Sequence, residues 1–303
     1  MSRTRELIAG LRRDLGEADP APPAIHVERI PDPPVRVFPS PTDRPRVAHQ
    51  AAAHTTALVG IGRVGTRYAT SVVLQFQAEL AVAHAAVAEV LPDSWAEENG
   101  LIGVTSRVTD HRQFLLRPDL GRRLDEPSLA RLAEDDVPKD IDVQPILADG
   151  LSAVACMGAG VELLSAFSAA CRERGFSVGA PLCAKFARVW LQDEIGAAVR
   201  AKVAVILLGE RPGLGTGDGL SAYLVHGPQL GRTDGDRNMM SNIHERGVPP
   251  VEAASRLASL VAAMLEQGRS GVTLDLADVA GVESGLRPPQ VRVPLVETGG
   301  DLA

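Results

Sequence analysis

Apolar residues recur at helical spacing over residues 70–91, where Val73, Phe76, Leu80, Ala83, Val87 and Val90 keep one periodicity until Pro92 ends it. Near the start, Leu7, Ile8, Leu11 and Leu15 share one face of a short amphipathic helix over 4–16. A helix that short is marginal alone and needs a partner surface. Residues 17–47 carry too many prolines for a regular element and read as extended linker. Residues 126–134 predict a shorter helix. Strand and helix patterns then alternate. A strand is expected over 141–150, a helix over 151–175 stopped by Gly175, one or two strands over 176–191, and a short helix over 192–201. Residues 202–210 form a near-continuous apolar run, as a strand buried on both faces should. Pro145 sits awkwardly in its strand because it cannot donate to a central ladder. Pro249 and Pro250 open a helix with Val251, Ala254, Leu257, Val261, Met264 and Leu265 on one side, and Gly268 closes it. Strands alternating with helices predict an α/β fold whose mostly parallel sheet has helices on both faces. The tail, 269–303, mixes apolar residues with Gly and Pro and is a candidate disordered segment.

Composition narrows the function classes. The 303 residues are about two domains' worth. With 45% hydrophobic and 23% charged residues the bulk reads as globular. A net charge of −7 argues against a broad nucleic-acid surface, and 3% aromatics are too few for a base-stacking platform. No apolar run approaches the roughly 20 residues that span a bilayer, and Arg12 and Arg13 interrupt the first apolar stretch, so no secretory leader is expected. Cys156, Cys171 and Cys183 form no CxxC pair and are odd in number; they read as reduced thiols of a cytosolic protein.

Five segments carry candidate chemistry. Gly60-Ile61-Gly62-Arg63-Val64-Gly65 matches a dinucleotide-binding turn, with Glu79 19 residues beyond Gly60. That fingerprint needs its acid at the end of a second strand, whereas Glu79 falls inside the predicted helix, so a glycine-rich lead-in to a helix is favoured. Asp149-Gly150-Leu151-Ser152 follows a strand and opens a helix, as a hydrolase nucleophile does, but Val154 stands where the elbow needs glycine. A helix cap is the preferred reading. Arg117-Pro118-Asp119-Leu120-Gly121-Arg122-Arg123 is either a solvated face or a forked contact to carboxylates of another subunit. Glu210-Arg211-Pro212-Gly213-Leu214-Gly215 directly follows the most apolar strand, where open parallel sheets collect ligands, and is the best local site signal; an ion-paired structural corner is its alternative. Residues 236–244, from Asp236 to His244, form a dense polar loop suited to a polar ligand or a subunit contact. His244 has no second His or acid at metal spacing and reads as structural. No nucleophile–base pair and no metal set emerge, which fits a subunit that binds without carrying out the chemistry.

At these motifs the sequence resembles the small (light) subunit of ethanolamine ammonia-lyase. The resemblance is carried by GRVGTRY (62–68), FLLRPDLGRRL (114–124), DGLS (149–152), FARVWLQDEIG (186–196), VILLGERPGLG (205–215), LSAY (220–223), DRNMMSNIH (236–244) and PPVEAA (249–254), in order over roughly 58–268. It implies a Rossmann-like domain over 136–268 covering a cobalamin and a helical subunit-contact region over 56–135; the N-terminal helix and linker, placed over 1–55 from their own pattern, lie outside the resemblance. It further implies a large partner subunit carrying the substrate site, in an assembly of six large and six small chains. The cofactor implied is adenosylcobalamin, held between the subunits, and the complex converts ethanolamine to acetaldehyde and ammonia. The implied cofactor contacts are Val189, Glu210 and Met239, with no catalytic residue on this chain. The family usually has cysteine where this chain has Met239, and an acid–His pair where it reads Glu79-Leu80. No D-x-H-x-x-G run is present, which is compatible with the cofactor keeping its own lower base. The expected location is cytoplasmic, with the N-terminal helix either addressing the enzyme to a protein-shelled microcompartment or merely aiding packing. Two rival readings are a stand-alone NAD-binding oxidoreductase and a non-catalytic scaffold.

Overall fold

The computed structural model describes residues 63–277 and 279, apart from 215, 216 and 246. The expected N-terminal helix and the whole proline-rich linker therefore lie outside the described residues. Residues 63–69 belong to one compact unit and 70–277 to another. In the first, β1 (Arg63–Val64) and β2 (Arg67–Tyr68) pair antiparallel about a turn in which Gly65 takes φ +64°, as a tight hairpin requires.

The second unit runs α1 (Thr70–Ala88), α2 (Trp95–Glu98), β3 (Ile102–Thr105), α3 (His111–Leu116), α4 (Glu126–Ala133), β4 (Val143–Ala148), α5 (Ala153–Met157), α6 (Ala159–Glu173), β5 (Leu182–Lys185), α7 (Leu191–Ala198), β6 (Val203–Gly209), β7 (Leu220–His226), β8 (Arg237–Ile243) and α8 (Pro250–Gln267). The six main strands form one sheet in the order β3-β5-β4-β6-β7-β8. The first three neighbour pairs are parallel and the last two antiparallel, so the sheet is mixed. The expectation of a mostly parallel sheet holds for its βα half; β7 and β8 double back along the edge. The segment 236–244 is thus corrected from a polar loop to an edge strand.

Two apolar layers flank the sheet. On one face Leu147, Val205, Leu207, Ala222 and Leu224 pack with Leu163 and Phe167 of α6 and Leu257 and Val261 of α8. On the other, Ile146, Ala184 and Ile206 pack with Leu132 of α4 and Leu191 and Ile195 of α7. Both central strands are buried along their length, as their unbroken apolar runs predict. Pro145 fits because the β5 ladder starts at Ile146, one residue later, while its carbonyl accepts from Gln144 Nε2 at 2.9 Å.

Four sequence expectations change. The helix expected over 151–175 is two helices, broken at Gly158. The region 56–135 is not purely helical, since β3 joins the main sheet beside β5. The tail begins inside the fold: Ser270 donates to the Asp236 carbonyl at 2.5 Å, the Gly271 amide donates to Asn238 Oδ1 at 2.6 Å, and Leu274 is buried. Helix α1 is long and apolar enough to cross a membrane by length and composition, contrary to the absence of such a run expected from sequence. It buries Val72, Ala83 and Ala86 and leaves Val73, Leu74, Leu80 and Val82 exposed, so its apolar stripe is not spent on its own core.

Candidate cofactor site

Chain order reverses about β4. It leads to β5 on one side through α5 and α6, and the chain returns through α7 to β6 on the other. Open α/β sheets bind ligands outside the carboxyl ends of strands at such a point. Here the turns after β4 and β6 are pressed together. The Leu151 amide donates to the Gly209 carbonyl at 2.9 Å. A Cβ on Gly209 would lie 2.3 Å from the Ser152 carbonyl oxygen, so only glycine permits this approach.

The Asp-Gly-Leu-Ser turn does two structural jobs. Ser152 caps α5, accepting from the Ala155 amide at 3.1 Å, and donates to the Gly217 carbonyl at 3.0 Å. Asp149 does not cap. Its buried carboxylate reaches the loop after β5 and accepts from the Phe186 amide at 2.7 Å and the Ala187 amide at 3.1 Å. From β3's end, Ser106 donates to the Phe186 carbonyl at 2.7 Å. Phe186 takes φ +54°, a conformation that a bulky residue adopts only under constraint. Two strand ends thus fix the loop that carries Arg188 and Val189. Burial pushes the Asp149 pKa up to about 6, against the two amide hydrogen bonds that favour the charged form.

Val189 lies between this loop and α7 and is half-buried; its amide N–H has no acceptor among the described residues. Glu210 follows β6 directly. Its carboxylate accepts from Ser221 on β7, and its amide donates to the Gly219 carbonyl at 2.9 Å. Met239 is 54% exposed on β8, directly opposite Tyr223 in the β7–β8 register. Tyr223 in turn lies opposite Ile206 and packs on the α7 side, so Ser221, Tyr223 and Met239 line that face of the sheet. Burial raises the Tyr223 pKa, and the Glu210 charge adds to the effect. Sequence reasoning pointed to Glu210 and, through the resemblance, to Val189 and Met239. It missed Ser221 and Tyr223, for which alternation through LSAY was the available signal, and it read Asp149 as part of a helix cap rather than as a strut.

The other candidates resolve differently. Among the arginines of 117–123, Arg117 pairs with Asp119 at the surface, while Arg123 makes its forked contact within the chain, to Glu194 of α7, at 2.9 and 3.1 Å. Arg122 stacks 4.5 Å over the Trp190 ring. His244 is buried with its ring nitrogen 2.7 Å from Asn242 Oδ1, a structural placement. The described part of the Gly60–Gly65 motif is the β1–β2 hairpin, not a strand-to-helix turn; Gly60 to Gly62 lie outside the described residues. The three cysteines are free and buried, and burial holds Cys171 up at about 12, so its thiol stays protonated. Among the described residues no group of three or more His, Cys, Asp or Glu is placed to hold a metal.

What remains is one carboxylate acceptor after β6, one amide donor before α7, and a phenol and an exposed thioether further along the same face of the sheet. Chemically, that set can hold a large ligand with a polar rim. The model of the family described as ethanolamine ammonia-lyase light chain matches residues 46–275, well over half of the sequence, and the chain belongs to that family.

Proposed function

We propose that this light chain forms the cofactor-facing half of an adenosylcobalamin-dependent ethanolamine ammonia-lyase, closing over the corrin while a heavy chain holds the amine, in a complex of six of each. Adenosylcobalamin, when bound, supplies the radical chemistry that converts ethanolamine to acetaldehyde and ammonia. A corrin presents broad apolar faces ringed by neutral amides, and the set described above matches that chemistry. Glu210 accepts from amide N–H groups, with Ser221 fixing the carboxylate. The open Val189 amide donates to an amide carbonyl. Met239 and Tyr223 offer apolar contact, and a methionine in place of the usual cysteine keeps that contact. None of these groups forms a nucleophile–base pair, so this chain positions and the cofactor reacts.

What supports the reading most is that Glu210 directly follows β6 with its carboxylate on Ser221, Val189 immediately precedes α7, and Met239 sits on the same sheet face as Tyr223. Reconstitution tests it. The light chain alone is expected to show no lyase activity, and activity should appear when heavy chain and adenosylcobalamin are added. Full activity from heavy chain and cofactor without the light chain overturns it.

The exposed apolar face of α1 supports a subunit-contact role for this region. A cytoplasmic location, with or without enclosure in a microcompartment, is part of the same proposal. Imaging of a reporter fused to residues 1–45 in a shell-forming host distinguishes the two, since a diffuse signal excludes addressing by this segment.

A further inference from the structure

Several described arginines have an acid to hold: Arg117, Arg123, Arg131, Arg200, Arg232, Arg237 and Arg256 each lie within salt-bridge distance of a carboxylate. Arg122, Arg188 and Arg211 have none among the described residues, and all three border the cofactor site. The Arg188 amide donates to the Gly121 carbonyl at 2.8 Å, which sets Arg122 next to the 188–190 segment, where it stacks on Trp190. Arg211 directly follows Glu210. The Arg188 guanidinium lies 4.1 Å over the Phe114 ring and donates one Nη2 hydrogen bond to the Phe114 carbonyl at 2.9 Å. Its Nε is buried with no hydrogen-bond partner among the described residues. Burial lowers the Arg188 pKa, and Arg122 and Arg211 are close enough to lower it further. The acid that opposes them, Asp149, is already committed to the Phe186 and Ala187 amides. In a chain of net charge −7, three uncompensated guanidinia gathered at one rim are not a general basic surface. Guanidinium forks match phosphate oxygens in geometry and charge.

We propose that Arg122, Arg188 and Arg211 form an anion subsite beside Val189 and Glu210, and that its ligand is the phosphodiester of the cofactor's nucleotide loop. The inference rests on the corrinoid reading above. It divides the cofactor by chemistry: Glu210 and Val189 take the neutral amides of the ring, and the guanidinia take the single formal anion.

The test uses the purified light–heavy complex, titrated with hydroxocobalamin and with cobinamide, which lacks the phosphodiester and base, and followed by corrin absorbance. Arg122 and Arg211 are exposed, so the double variant R122Q/R211Q is expected to fold. It should bind hydroxocobalamin at least about tenfold more weakly, the scale of one lost charged hydrogen bond, with cobinamide affinity unchanged. Unchanged affinity for both overturns the subsite, including the case in which the guanidinia hold only free phosphate. Equal weakening of both, or dissociation of the complex on size exclusion, also overturns it and assigns the arginines to the subunit interface. Failure of the wild-type complex to bind either corrinoid retracts the corrinoid reading itself, and the subsite with it.

Discussion

Asp149 shows how a buried acid can be a strut instead of a reagent. Its two oxygens hold two consecutive amides of a loop that would otherwise have to relax a left-handed phenylalanine. Because burial raises its pKa from 3.8 to about 6, the folded chain binds this proton more tightly than the unfolded chain does. The associated stability is fully present below about pH 4, falls as pH rises through 6, and amounts to about 3 kcal/mol. Asp142 works with the opposite sign: hydrogen bonds from Lys202 and then Ser177 hold it near 2, so its contribution is lost only in strong acid. Subtracting D149N from wild type isolates the first effect. The urea midpoint of wild type should decline relative to D149N between about pH 4 and pH 7, and a difference that does not vary with pH contradicts the assignment. At this scale the sequence was partly readable. Glu210 stands out because a charge ends an apolar run. Asp149 reads locally as a helix cap, because the partners it actually holds, Phe186 and Ala187, lie 37 and 38 residues away.

At the scale of elements, the edge strand β8 carries Met239 and is anchored at its first residue. Arg237 makes a fully buried fork to Asp193 of α7 at 3.0 and 2.6 Å. With its amide turned to satisfy its neighbours, Gln192 accepts from Arg237 Nη1 at 2.9 Å and donates to the Tyr223 carbonyl at 3.0 Å. This network ties the strand with Met239 to the helix behind Val189. Removing one partner strands a buried charge, so D193A should lower unfolding free energy by about 3–5 kcal/mol in chemical denaturation. A loss below about 1 kcal/mol would mean the pair is not buried in solution. G209A should be costly too, by about 1–3 kcal/mol, because its methyl group meets backbone oxygens that cannot step aside. A thermal midpoint equal to wild type would mean that the two turns do not touch. The hydrophobic pattern revealed β4, β6 and α8 because burial on one or both faces leaves continuous or periodic runs. It did not reveal β8, whose residues Arg-Asn-Met-Met-Ser-Asn-Ile show no regular apolar/polar alternation, nor β3, only four residues long. Both are edge strands, where tertiary pairing rather than local pattern decides the conformation.

For the whole molecule, the apolar stripe of α1 and the rim at the carboxyl edge are surfaces that the chain alone leaves open. The light-chain family implies a heavy subunit as partner. Introducing L74E and L80E together alters side chains that are 59% and 48% exposed, so the isolated chain should keep its stability to within about 0.5 kcal/mol per site. Co-purification with the heavy chain should weaken under the account given above; recovery equal to wild type would remove α1 from the interface. The central claim is that this chain grips the corrin with Glu210. The most direct measurement is the corrinoid affinity of the light–heavy complex carrying E210A in the light chain. The account predicts a loss of at least about tenfold, the value of one charged hydrogen bond, in a complex of unchanged size. An affinity equal to wild type would contradict it.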